Sequence, residues 1–367
     1  MRKFIRFVAV ALALAAAVLA LNRIVYGRSL RATLYEYTLR RQFATQRTAE
    51  EEIQRLKDRR AKGEKPYALP DDLAFSRPVE AYDFHGMQVF TLNGEGDGPV
   101  ALYLHGGAYV NGFNAHQWHF MDRLARETDC AVVAPAYHLA PFADYARAYR
   151  DLSALYRALK EKAPDRRLIL MGDSAGGGLA LGLAEYLVGA GEALPERLIL
   201  FSPWVDVSME NPDIAGYVSV EPMLHLDLVK VHGKCWAGDA DTRFWMVSPL
   251  FGDMAGLPPV TVYCGTRELL YPDILLLRDR LADAGVDATL RVGHGLNHDW
   301  PLMPIPEAEG AFGEIERIMG NEEWGMGNGE WGMGNGEWGM MVQIPYGICF
   351  DSTCGNSEMT GFCSYNL

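Results

Sequence analysis

The sequence predicts an α/β fold with a mostly parallel central sheet and helices on both faces. From about residue 80, short apolar runs alternate with stretches of helical periodicity. The runs are almost continuously apolar, as expected for strands that are buried on both faces of a parallel sheet. The chain has 367 residues, of which 49% are hydrophobic and 22% are charged, and these values are typical of globular proteins.

The predicted elements follow one another in regular order. The strands are expected at residues 100–104, 130–136, 168–171, 198–201, 260–264 and 288–292, and the helices at about 117–128, 142–162, 175–190, 271–284 and 306–319. We therefore expect the catalytic domain to span residues 70–319. Residues 205–257 interrupt the alternation, and we interpret them as a helical cap over the carboxyl ends of the strands, where open α/β sheets bind ligands. Residues 28–69 combine many charges with apolar residues at helical spacing, and we expect this N-terminal helical segment to join the cap.

Residues 1–27 resemble a signal peptide or a single membrane anchor. Three cations, Arg2, Lys3 and Arg6, precede an apolar run over residues 7–21. The run is short for a membrane span, but Phe4 and Ile5 could lengthen it. An unbroken Ala/Leu/Val run has no polar face, which argues against a buried amphipathic helix. We expect a protein of the cell envelope that is either anchored in the membrane or secreted.

Residues 320–367 differ from the rest of the chain in composition. The heptapeptide WGMGNGE occurs twice in succession, and residues 321–367 hold six acidic residues and no Lys or Arg. The glycines and the close spacing of the apolar residues exclude a coiled-coil seam. We predict a low-complexity, disordered tail that is not needed for activity.

Composition excludes several classes of protein. The formal net charge is −13, with 34 Lys and Arg against 47 Asp and Glu, so nucleic-acid binding is not expected. The six cysteines are too few for a scaffold built on disulfides.

A Gly-Asp-Ser-Ala-Gly motif lies at residues 172–176, between a predicted strand and a predicted helix. This is the context of a nucleophile elbow, in which a sharp turn lifts Ser174 above the edge of the sheet. The N–H groups at the start of the following helix, including that of Ala175, would face a developing negative charge. No Gly-Lys-Ser/Thr sequence follows, so an ATP-binding loop is excluded.

A His-Gly-Gly motif at residues 105–107 ends an earlier predicted strand. The glycine pair can present the backbone N–H groups of Gly106 and Gly107 to an oxyanion. His105 lies before the expected acid in the chain, and we interpret it as a brace of this loop. The two motifs together, about 67 residues apart, are far more specific than either alone.

The remaining members of a catalytic triad should follow Ser174 in the order acid, then histidine. The loop after the last predicted strand holds His294 and His298, of which we favour His298. The loop after residues 260–264 offers Glu268, a few residues past the strand, and Asp273 at the start of the next helix. We favour Glu268 as the acid, with Asp273 as the alternative.

These motifs resemble the hormone-sensitive-lipase-like family of α/β-hydrolases, which includes bacterial carboxylesterases, lipases and acetyl-hydrolases. The resemblance rests on HGGAY, GDSAGG, SPWVD, and the pairing of GTRELLYPD with GLNHDWPL, and it covers roughly residues 70–319. It implies an α/β-hydrolase fold, with the oxyanion loop at Gly106 and Gly107, the nucleophile at Ser174 and the histidine at His298. The acid of the family, usually Asp, falls on Glu268, and the choice against Asp273 stays open.

The expected function is hydrolysis of short- to medium-chain acyl esters, including acetyl esters, through an acyl-enzyme, with no metal and no organic cofactor. The expected partner is a small-molecule ester, and the N-terminal segment suggests membrane attachment. One alternative is an acyltransferase that uses the same acyl-enzyme. Another is a non-catalytic binding protein on the same fold, which would normally have lost Ser174 or His298.

Overall fold

An eight-stranded sheet forms the centre of the molecule. The structure is a computed structural model and describes residues 2–44, 47–70 and 73–320. The strands are β1 (Val79–Phe84), β2 (Met87–Leu92), β3 (Val100–Leu104), β4 (Ala131–Ala136), β5 (Leu168–Asp173), β6 (Arg197–Phe201), β7 (Val260–Arg267) and β8 (Ala288–Asn297). Their order in the sheet is β1-β2-β4-β3-β5-β6-β7-β8. Strands β3 to β8 are parallel and correspond to the six predicted strands, which confirms the predicted fold class.

Strands β1 and β2 form an antiparallel hairpin at one edge, and the sequence analysis did not predict them. Strand β1 is largely exposed and carries Glu80 and Asp83 among its apolar residues. The continuous apolar character that marks the central strands is therefore missing from it. The turn between the two strands is His85–Gly86, and both residues have positive φ, as tight hairpin turns require.

Helices cover both faces of the sheet. They are α4 (Ala115–Thr128), α5 (Tyr145–Lys162), α6 (Ser174–Gly189), α7 (Leu226–Ala237), α8 (Tyr271–Asp283) and α9 (Pro306–Met319). Alternate residues of β3 enter two separate cores: Leu102 belongs to the core that also holds residues of α5, α6 and α8, and Tyr103 to the core that holds residues of α4 and α9. This period of two explains why each central strand is apolar throughout.

The chain before the sheet forms three helices: α1 (Arg2–Tyr26), α2 (Leu30–Gln42) and α3 (Ala49–Lys62). Within α1, residues Phe4–Val25 have a mean hydropathy of 2.6 and are long and apolar enough to cross a membrane. Such a helix is compatible with either a signal sequence or an anchor. Helix α3 packs against α7, which lies in the insertion, and the Glu52 carboxylate is 2.8 Å from Nε2 of His232. The predicted tail lies outside the described residues, except for its first residue, Gly320.

Candidate active site

Ser174 lies at the sharp junction between β5 and α6. Its φ of 50° is in the left-handed region, where a residue with a side chain is strained. The two flanking glycines are required by close backbone contacts, because a Cβ on Gly176 would collide with the Leu104 carbonyl and one on Gly172 with the Gly176 carbonyl. The turn thus holds the Ser174 hydroxyl at the carboxyl edge of the sheet, at the N-terminus of α6.

His298 directly follows β8 and reaches Ser174 across the edge of the sheet. Its Nε2 atom is 2.9 Å from Ser174 Oγ, and its ring is almost completely buried. The two residues are 124 positions apart in the chain. His294, the other histidine of this loop, is exposed on β8.

Glu268 follows β7 and is fully buried. Its Oε2 atom is 2.7 Å from Nδ1 of His298, and its Oε1 atom accepts a hydrogen bond of 2.9 Å from the Gly265 N–H. Asp273, the alternative acid, instead accepts a hydrogen bond of 2.8 Å from the Asn211 side chain, and burial raises its pKa to about 7. The structure therefore brings Ser174, His298 and Glu268 into one hydrogen-bonded chain that does not include Asp273.

The known proteins that this chain resembles are α/β-hydrolases and esterases. A family model described as the alpha/beta hydrolase fold matches residues 101–302. An acetyl-hydrolase of Streptomyces hygroscopicus is 34% identical over 226 residues, which cover 59% of this chain and 75% of that protein. The crystal structure of an esterase from the bacterial hormone-sensitive lipase family is 29% identical with a TM-score of 0.68, covering 80% of this chain and 98% of that one. The chain belongs to the hormone-sensitive-lipase-like α/β-hydrolases.

A further relative supports the class of reaction. An esterase of Acinetobacter venetianus is 31% identical over 224 residues, which cover 59% of this chain and 73% of that protein. The predicted family and enzyme class are thus confirmed, and the chain is a carboxylesterase- or lipase-type hydrolase that acts on carboxylic esters. Among the residues that the structure describes, no group of three or more His, Cys, Asp or Glu side chains could hold a metal ion.

The backbone amides of the glycine loop at residues 105–108 differ in their hydrogen bonds. The Gly106 N–H donates a hydrogen bond of 2.9 Å to Oδ1 of Asp173, so this amide is already used within the protein. Within the described part of the chain, the amides of Gly107 and Ala108 donate to no acceptor. Of the two glycine amides that the sequence analysis selected, the Gly106 amide is therefore occupied, whereas the Gly107 amide and its neighbour at Ala108 keep no such bond in this part of the chain.

Asp173 is a residue that the sequence analysis passed over, although it lies inside the motif that contains Ser174. Besides the Gly106 amide, its buried carboxylate accepts hydrogen bonds from the Tyr103 hydroxyl at 2.6 Å and from the Gln117 side chain at 2.7 Å. His105 also braces the loop, because its Nδ1 atom is 2.7 Å from the Gly106 carbonyl and its ring stacks on Tyr137. These contacts fix the glycine loop against the strand that carries the nucleophile.

Two further acidic side chains surround His298 in the hydrolase, and the sequence analysis did not select them. Oδ2 of Asp299 is 3.3 Å from the same Nε2 atom that faces Ser174. Glu221, from the insertion, is also buried and accepts a hydrogen bond of 3.0 Å from the N–H of Leu269, the residue after Glu268. Asp299 could have been noticed as an acidic neighbour of His298, whereas nothing in the local sequence marks Glu221.

These carboxyl groups determine the protonation of His298. Burial acts to lower the pKa of the imidazole, but Asp299, Glu268 and Glu221 outweigh it and raise the pKa above its ordinary value. Burial in turn raises the pKa of Asp299 well above its usual range and that of Glu221 to about 7. A histidine accepts a proton only when it is neutral, so these carboxyl groups oppose the neutral form of His298 that a general base requires.

Proposed function

We propose that the hydrolase cleaves short- to medium-chain acyl esters, including acetyl esters, through a covalent intermediate on Ser174. The observation that carries this proposal is the chain of two hydrogen bonds from Ser174 Oγ through the His298 imidazole to the Glu268 carboxylate, at 2.9 and 2.7 Å. This spacing matches the requirement for a nucleophile, a base and a group that orients the base.

In the proposed reaction, Ser174 Oγ attacks the acyl carbon while His298 Nε2 accepts its proton. Glu268 holds the Nδ1 proton of the imidazole and stabilises the imidazolium that forms. The backbone N–H groups of Gly107, Ala108 and Ala175 would bind the oxyanion, and each such donor contributes about 3 kcal/mol to stabilising the transition state. His298 then protonates the departing alcohol, and a water molecule repeats the two steps on the acyl-enzyme.

Two features support a short acyl group. Relatives include an acetyl-hydrolase and an ethyl acetate hydrolase from Pseudomonas putida, which is 31% identical over 220 residues. We also propose that residues 205–257 together with 28–69 form a cap over the site, as the contact between α3 and α7 suggests. The relatives named here are hydrolases, so they do not favour the acyltransferase alternative.

The decisive experiment compares Ser174→Ala with the wild-type chain on p-nitrophenyl esters of increasing acyl length. The variant should lose kcat by a factor of about 10⁶. The wild-type chain should turn over acetate and butyrate esters faster than palmitate. Ser153→Ala, which removes a buried hydroxyl on α5, is the matched control and should retain activity.

A fluorophosphonate probe provides a second readout that is independent of the substrate. It should label the wild-type chain on the peptide that contains Ser174 and leave Ser174→Ala unlabelled. Turnover by Ser174→Ala at the wild-type rate would refute the proposal, as would labelling of a different serine.

A further inference from the structure

One face of α2 is hydrogen-bonded to the segments that carry Glu268 and His298. Glu36, buried in the middle of α2, accepts hydrogen bonds from Arg28 and, at 2.9 Å, from Arg267, the residue before Glu268. Arg28 also donates a hydrogen bond of 2.6 Å to the carbonyl of Gly295, in the segment of β8 that leads to His298. The inner face of α2 thus contacts both catalytic loops at the carboxyl edge of the sheet.

These contacts fix the position of α2 firmly. Burial acts to raise the pKa of Glu36, but Arg28 and Arg267 outweigh it and lower the pKa, so the carboxylate is ionised at neutral pH. Removing either partner of such a buried pair leaves an uncompensated charge, which makes separation of α2 from the loops costly. Arg40 adds a hydrogen bond of 2.5 Å to the Val220 carbonyl in the insertion.

The opposite face of α2 carries an exposed apolar stripe. Leu30, Leu34 and Tyr37 follow the i, i+4, i+7 spacing of one helix face, and they are 42%, 56% and 59% exposed. Arg31 and Arg41 are exposed on the same helix. Residues 28–42 contain four arginines and one glutamate, although the whole chain has a net charge of −13. A helix with exposed leucines, an exposed aromatic ring and arginines is typical of a segment that lies in a membrane interface.

The helix before α2 indicates what covers this stripe. The apolar stretch Phe4–Val25 of α1 has 22 residues, enough to cross the hydrocarbon core at 1.5 Å per residue, and none of it is buried. Three residues separate the end of α1 from the start of α2. The side chain of Asn22 accepts a hydrogen bond of 2.9 Å from the Thr33 hydroxyl and donates one of 3.3 Å to the Arg28 carbonyl, so the two helices are joined by side-chain contacts as well as by the chain.

We propose that α2 is an interfacial helix, whose outer face lies in the headgroup region of the bilayer that α1 enters and whose inner face holds the catalytic edge of the sheet at the membrane surface. The substrates that benefit from this arrangement are esters dissolved in the bilayer with the ester group at its surface. This statement about substrates rests on the proposed function, whereas the statement about α2 does not.

The position of α2 can be measured on the full chain in vesicles of phosphatidylethanolamine and phosphatidylglycerol. Leu34→Trp adds a tryptophan to the outer face of α2. The added fluorescence, measured as the difference from the wild-type chain, should be quenched by lipids that are brominated near the headgroup. Leu276→Trp is the matched control, because Leu276 is an apolar residue of α8 that is 46% exposed, and its added fluorescence should not be quenched. Equal quenching of both variants, or of neither, would overturn the proposal. It would also be overturned if the expressed protein were recovered as a soluble chain from which α1 has been cleaved.

The substrate class is tested with two acetate esters that share their acyl group but differ in location. The variant Leu30→Glu/Leu34→Glu should show a KM for hexadecyl acetate in vesicles that is raised about tenfold, because two apolar side chains no longer enter the interface. Its kcat for soluble p-nitrophenyl acetate should equal that of the wild type, as should both parameters of Leu276→Glu. An unchanged KM for hexadecyl acetate would refute the inference. If the wild-type chain did not hydrolyse soluble p-nitrophenyl acetate, that result would instead refute the proposed function.

Discussion

The two sides of the active site are built by different means. On the side of β3 and β5, the glycine loop and the turn at Ser174 depend on backbone geometry, because Gly172 and Gly176 leave no room for a Cβ. On the side of β7 and β8, the site depends on buried charge, since Glu268, Asp299 and Glu221 all act on the pKa of His298. Substitutions on the first side should therefore change the rate, whereas those on the second should also change its dependence on pH.

Among the substitutions that compare the two sides, the largest effect is expected at Glu268, which belongs to both the geometry and the charge of the site. In Glu268→Gln, the side chain can no longer stabilise the imidazolium or hold the Nδ1 proton as a carboxylate does, so kcat should fall by about 10⁴. The measurement is kcat for p-nitrophenyl acetate. Asp273→Asn is the matched control and should retain a kcat close to that of the wild type, because Asp273 contacts Asn211 and not His298. A larger loss in Asp273→Asn would reverse the assignment of the acid.

The next effect is expected at Asp173, on the backbone side. In Asp173→Asn, one oxygen can still accept from Gly106 and Tyr103, but the new amide N–H₂ group faces the donating side chain of Gln117. An unsatisfied buried donor costs about 1–3 kcal/mol, and if this cost falls on the oxyanion loop, kcat should fall by about tenfold to a hundredfold.

The double variant Asp173→Asn/Gln117→Glu tests whether this loss comes from the hydrogen bonds. The carboxylate at position 117 accepts from the new amide and can still accept from the Asn114 N–H, as Gln117 does in the wild type. We expect partial recovery of kcat in the double variant. A double variant that is no faster than Asp173→Asn would show that the hydrogen bonds of Asp173 do not position the loop.

The difference between the two sides also explains what the sequence reveals. The backbone side leaves a local signature, because the close contacts at Gly172 and Gly176 require glycines at fixed spacing around Ser174. The Gly106 amide shows the limit of that signature, because a glycine pair does not indicate which amide is bonded to a residue 67 positions away. The six central strands were predictable because they are apolar throughout, whereas the exposed strand β1 was not.

The charged side leaves little trace in the sequence, because its members come from distant segments. Glu268 and His298 could be selected by their positions after two strands. Glu221 lies in the insertion, and its approach to the acid loop is a contact between residues 48 positions apart. Only the folded chain brings these groups together, so neither their burial nor their combined effect on His298 could be predicted.

A smaller effect, on pH dependence, is expected at Asp299. When it is ionised, Asp299 favours the imidazolium form of His298, so Asp299→Asn should lower the pKa of the ring and make its neutral form available at lower pH. The acid limb of the kcat/KM profile should move to lower pH by about 1 unit or more. Glu185→Gln, a buried carboxyl on α6 that is not among the groups that raise the pKa of His298, should leave the profile in place. A shift to higher pH in Asp299→Asn would contradict the prediction.

The smallest effect is expected at Glu221, which acts on the imidazole without a hydrogen bond to it. Burial raises the pKa of Glu221 to about 7, so the carboxyl ionises above neutral pH and then favours the imidazolium. The wild-type kcat/KM profile should therefore show a weak inflection near pH 7, and Glu221→Gln should remove it while moving the acid limb to lower pH by less than Asp299→Asn does. Because Glu221 also accepts a hydrogen bond from the Leu269 amide, a modest loss of kcat should accompany this shift. If the inflection persists in Glu221→Gln, it belongs to another group, and the charge of the insertion does not reach the base.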